Sequence, residues 1–97
     1  MPTLEKIKSI LAGRKKDLTD RFKVKEIGIF GSYVRGEQKK KSDIDVLVEF
    51  REPIGLFQFL DLEEYLTDLI GTKVDLVSKK ALKPYIGARI LKEAIYV

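Results

Sequence analysis

In the run Asp43-Ile44-Asp45-Val46-Leu47-Val48-Glu49-Phe50, carboxylates recur at alternate positions of an otherwise apolar segment, and few folds accommodate that alternation. A period of two is that of a β-strand, with Asp43, Asp45 and Leu47 on one side and Ile44, Val46, Val48 and Phe50 on the other. The apolar side requires cover from other elements, and the side carrying the aspartates is expected to stay open as a cleft. Neighbouring same-side positions lie roughly 7 Å apart at the backbone. Two short carboxylates so placed suit a small hard cation, and magnesium takes few carboxylates together with waters and phosphate oxygens.

Upstream, the short β-branched run Val24 to Phe30 reads as a strand ending at Gly31, and Ser32 opens what must be a short helix, because Gly36 and the lysines Lys39, Lys40 and Lys41 interrupt it. A glycine there permits a tight turn and close approach of a ligand. A serine capping the helix leaves amides free to meet an anion. Ten residues then separate Ser32 from Asp43. An anion seat and cation ligands thus come from adjacent elements, as a metal-bound nucleoside triphosphate requires. Read separately, the Gly-Ser pair fits an ordinary strand-to-helix turn and the two aspartates a polar strand edge.

GSYVRG followed at this spacing by SDIDVLVEF resembles the signature of the minimal nucleotidyltransferases, small members of the DNA polymerase beta superfamily that also contains the kanamycin nucleotidyltransferases. The resemblance extends from about Val24 to the C-terminal helix. It implies a third carboxylate on a later strand, where KVDLVS supplies Asp75. By its own pattern Asp75, in the middle of an apolar strand, fits a salt bridge or a position on an edge strand before it fits a metal shared with Asp43 and Asp45.

The remaining chain fits one domain spanning residues 1–97. Thr3 to about Phe22 reads as an amphipathic helix with Leu4, Ile7, Leu11 and Leu18 inward and Gly13 marking a break. Gly55 to Ile70 reads as a second helix whose apolar face is Leu56, Phe59, Leu60, Leu66, Leu69 and Ile70, with Phe57, Leu62 and Tyr65 outside the stripe and an acidic face of Asp61, Glu63, Glu64 and Asp68 in solvent. Lys73 to Ser78 is a third strand. Pro84 opens a final helix in which Ile86, Ile90, Leu91 and Ala94 are expected to cover the sheet. The fold class is therefore α+β: a small mixed sheet of three or four strands with helices mainly on one face.

Composition narrows the chemistry. Without histidine or cysteine, imidazole catalysis, disulfides and thiolate or imidazole zinc sites are excluded. The net charge of +4 suits anionic ligands. Between Met1 and Lys25, eight Lys or Arg face three acids, but no aromatics are interleaved to stack bases, so direct nucleic-acid binding is not expected. Neither a signal peptide nor a membrane-spanning run is evident, which predicts a cytoplasmic protein.

The resemblance implies a two-metal reaction, with magnesium ions roughly 4 Å apart and ATP as substrate. Asp43 and Asp45 would ligate both ions, and Asp75 would hold the nucleophile-side ion and accept the hydroxyl proton. Ser32 and the amides after Gly31 would grip the distal phosphates, and Arg35 would neutralise pyrophosphate. It further implies an antitoxin that adenylylates a tyrosine of a HEPN-type ribonuclease toxin. Two other readings are a module that neutralises its partner by contact alone and an enzyme adding nucleotides to RNA ends.

Overall fold

The computed structural model describes residues 2–97. In chain order the elements are α1 (Leu4–Ala12), α2 (Lys15–Phe22), β1 (Val24–Phe30), α3 (Ser32–Arg35), β2 (Ile44–Phe50), α4 (Leu56–Ile70), β3 (Val74–Ser78), α5 (Pro84–Glu93) and β4 (Ile95–Tyr96), with a single 3-10 turn at Lys79–Ala81. The expected N-terminal helix is two. Thr3 caps α1 by accepting from the Lys6 amide at 3.1 Å, and the chain breaks at Gly13 and Arg14 before α2 begins. A glycine costs about 1 kcal/mol in a helix interior, which makes this the cheapest place to divide the segment.

The four strands form one mixed sheet in the order β3-β2-β1-β4. β1 pairs antiparallel with β2 and β4, while β2 and β3 run parallel. A parallel pair cannot be closed by a tight turn, and α4 supplies the crossover. On one face Ile27, Ile29, Ile44, Val46, Val48, Val74 and Leu76 are buried against Ile7 and Leu11 of α1, Leu18 and Phe22 of α2, and Leu62, Leu66 and Ile70 of α4. This is the expected α+β arrangement with helices mainly on one face.

Two helix faces depart from expectation. In α4 the buried stripe is Leu62, Leu66 and Ile70, spaced four residues apart, while Leu56, Phe57 and Leu60 are exposed. Leu62, expected outside the stripe, is its fully buried centre. Leu66 and Ile70 are buried and Phe59 packs against the core as expected, whereas the apolar residues Leu56, Phe57 and Leu60 at the N-terminal end of α4 face solvent. In α5, Ile86 is 62% exposed and Leu91 also faces solvent, so this helix does not roof the sheet as expected. It is instead tied in by β4, which pairs Ile95 with Ile29 and Tyr96 with Gly28.

The outer edge of β3 is covered from α4. The Val74 amide donates to Thr67 Oγ1 at 3.1 Å and the Leu76 amide to Glu63 Oε2 at 2.9 Å. Four residues along a helix match two along a strand, so one helix face caps alternate edge amides that would otherwise invite strand addition. Glu63, expected as part of a solvated acidic face, has this structural task. Among the described residues no helix is long and apolar enough to cross a membrane.

Candidate active site

The site forms where β1 gives way to α3. Gly31 adopts φ 79°, ψ −150°, a region essentially reserved for glycine, and its carbonyl accepts from the amides of Val34 and Arg35 at 3.1 Å each. A second constraint acts on the same residue. β-Carbon placement at Gly31 would overlap Asp45 Oδ2 and lie 2.9 Å from Asp45 Cγ. The Asp45 carboxylate therefore packs against the Gly31 backbone, joining the turn to β2.

The sheet register completes the acidic group. Asp45 stands opposite Asp75 in the parallel β2–β3 pair and opposite Phe30 in the β1–β2 pair. Asp43 precedes β2 and forms an exposed ion pair with Lys73 at 3.9 Å. Burial pushes the Asp45 carboxyl above its ordinary range, the charges of Asp75 and Asp43 push it further, and Arg35 opposes them. Asp75 is exposed, so the cost of burying a charge within an apolar strand does not arise: the strand turns that side to solvent. Among the described residues no three carboxylates are drawn into a closed metal-binding group. The donor set nonetheless fits magnesium: hard oxygens on one open face, with repulsion at Asp45 that a cation would relieve.

Arg35 lies across the turn from these aspartates. Its Nε donates to Glu37 Oε1 at 2.6 Å and its Nη1 to Glu93 Oε1 at 2.7 Å. The other Glu93 oxygen accepts from the Gly31 amide at 3.1 Å. Burial alone would push the Glu93 carboxyl up, but the hydrogen bonds from Arg35 and Gly31 outweigh it and hold the group below its ordinary range. Those bonds to Glu93 and Glu37 raise Arg35 in turn. Ser32 departs from expectation in one respect: the N-cap is Gly31, and no side chain caps α3. Ser32 itself is half-buried. Tyr33 is buried in the core, and Lys39, Lys40 and Lys41 are exposed on the loop before Asp43.

Gly31, Arg35, Asp45 and Glu93 line one open cleft of about 310 Å³, with Ile86 and Arg89 of α5 forming its far wall. A hollow of about 350 Å³ beside Phe50, Ile54 and Phe59 is larger and more apolar, but it lies away from the three aspartates. Of the residues expected from sequence, Gly31, Arg35 and Asp45 meet in the cleft, Asp75 joins through the sheet register, and Asp43 flanks them. Glu93 and the wall formed by α5 were not foreseen. Glu93 lies 62 residues from Gly31 in a helix-ending segment, and no local spacing marks it.

The fold and this grouping define a class: a small α+β protein in which a glycine turn and the strand-borne Asp45 line one cleft, with Asp75 in register and Asp43 beside them, as in nucleotidyl transfer. A family profile described as nucleotidyltransferase domain matches residues 11–97, and the chain belongs to that family. The protein adenylyltransferase MntA of Thermococcus cleftensis is 56% identical over 97 residues, which span the whole of this chain and 98% of the relative. A solved chain assigned to the minimal nucleotidyltransferases is 35% identical, covers 92% of this chain and 93% of its own length, and superposes with a TM-score of 0.75. The structure of a tri-AMPylated Shewanella oneidensis HEPN toxin in complex with an MNT antitoxin matches with a TM-score of 0.68, covering 93% of this chain and 67% of that one. At 19% identity, this last likeness speaks to the fold alone.

Proposed function

We propose that this protein transfers AMP from ATP to a hydroxyl of a partner protein, and that the partner is a HEPN-type toxin which the transfer neutralises. The observation that carries the proposal is the register of Asp45 with Asp75 on the open sheet face, with Asp45 packed on the Gly31 turn. High identity to a named protein adenylyltransferase along the full chain supports the substrate class.

In this reading Asp43, Asp45 and Asp75 would hold magnesium, which when bound would supply charge neutralisation along the triphosphate and a more acidic acceptor hydroxyl. The Ser32 hydroxyl and the amides after Gly31 grip the distal phosphates, and Arg35 meets the charge that develops on pyrophosphate. The acceptor oxygen attacks the α-phosphorus in line. Its bond to phosphorus forms as the bond to the pyrophosphate oxygen breaks, and the hydroxyl proton passes to Asp75. Exposure of Asp75 leaves it accessible to an acceptor delivered from outside, as a protein substrate would be.

The test is incubation with ATP and magnesium, with and without a HEPN-type toxin as partner, followed by intact mass of both chains. A gain of AMP units on the partner, abolished by Asp43→Asn, is expected. Tight association with no mass change under any nucleotide would replace transfer with neutralisation by contact.

A further inference from the structure

Glu93 is the one carboxylate of the cleft to which the transfer reaction gives no task. It nevertheless makes two charge-assisted or backbone contacts there: Oε2 with the Gly31 amide at 3.1 Å and Oε1 with Arg35 Nη1 at 2.7 Å. Its side chain is only 16% exposed. It stands at the last position of α5, separated from β4 by Ala94 alone, and β4 is hydrogen-bonded to β1 at Gly28 and Ile29, just ahead of the turn. The carboxylate is thus anchored from behind by the sheet whose end it grips.

We infer that Glu93 is a positioning residue, which sets the Gly31 turn and the Arg35 guanidinium in the geometry that receives the nucleotide's phosphates. The inference rests on the nucleotide-transfer reading above. Gly31 is held between two carboxylates, Glu93 on its amide and Asp45 against its α-carbon, so a displacement of the turn reaches Asp45 directly. Glu37 fixes Arg35 Nε from the other side at 2.6 Å, and the guanidinium, held at two of its nitrogens, keeps one orientation. The depressed titration of Glu93 agrees with a carboxylate ionised and engaged at neutral pH. Pre-orientation of this kind lowers the ordering cost of binding.

Glu93→Asp isolates the effect, since it retains the charge but shortens the side chain by one methylene, so that both contacts cannot be kept. Calorimetry with MgATP and with magnesium tripolyphosphate, which lacks the nucleoside, reads the phosphate seat. Both ligands are expected to weaken by about tenfold, the scale of one lost charge-assisted hydrogen bond. Glu93→Gln, of full length with one carbonyl oxygen, is expected to retain more affinity than Glu93→Asp, and it carries the test if the aspartate variant does not fold. The inference is overturned if Glu93→Asp melts earlier but binds both ligands like wild type, because the role is then structural only. It is equally overturned if Glu93→Gln binds more tightly than wild type, because Glu93 is then a competitor of the phosphates. Wild-type protein that binds neither ligand would defeat the nucleotide reading itself, and the positioning role with it.

Discussion

Gly31→Ala should damage this protein in two separable ways. The backbone at φ 79°, ψ −150° is one that an L-residue occupies at a cost of about 1–3 kcal/mol. The new methyl group would also overlap Asp45 Oδ2, and forcing that side chain off its rotamer adds about 0.5–1.5 kcal/mol. For a chain of this size the loss corresponds to a fall in melting temperature on the order of 15 °C. Gly36→Ala is the control. Gly36 also has positive φ, at 72°, but nothing lies within 4 Å of a β-carbon there. It should lose only the left-handed backbone cost of about 1–2 kcal/mol. The assay is paired thermal and urea unfolding of both variants, with MgATP binding measured on each. The larger loss of stability and the loss of nucleotide binding should belong to Gly31→Ala alone. Equal destabilisation by the two variants, with nucleotide affinity preserved in both, would refute the claim that the turn and Asp45 are sterically coupled.

Two further outcomes follow from the same geometry. Asp45 titrates above its ordinary range through burial and the charges of Asp75 and Asp43, so its ionised form is less favourable in the folded than in the unfolded chain. Asp45→Asn should therefore raise the melting temperature in metal-free buffer at neutral pH while lowering transfer on the order of a hundredfold or more; a variant that melts earlier would contradict the assignment. In α4, Leu62→Ala should cost about 2–5 kcal/mol by opening a cavity at a fully buried position. Leu60→Ala, at a position 46% exposed, should stay within about 0.5 kcal/mol, and urea titration distinguishes the two.

Local pattern and long-range placement contributed differently to what could be read in advance. The strands β1, β2 and β3, the turn at Gly31, and the aspartate pair are local features. Alternation with period two and a glycine before a short helix write them into consecutive residues, and they appear where expected. The face of α4 is only partly legible in sequence because a helix rich in Leu and Phe offers more apolar surface than the sheet can cover. Which stripe is buried depends on where the helix crosses β3, a matter that Glu63 and Thr67 help to fix through the edge amides of Leu76 and Val74. The same holds for α5: its apolar residues satisfy a helical period, yet β4 draws the chain back to β1 and leaves Ile86 beside the cleft instead of under the sheet.

An open sheet face carrying Asp43 and Asp45 beside a glycine turn is already written in consecutive residues, because side-chain alternation and the conformational freedom of glycine act over neighbouring positions. It takes the folded chain to set Asp75 in register with Asp45, to lay Asp45 against Gly31, and to close Glu93 on the turn from the far end of the chain. Each of these contacts joins residues 14 or more positions apart, and such contacts are selected by strand register and by the packing of helices on one face, which no short-range pattern encodes.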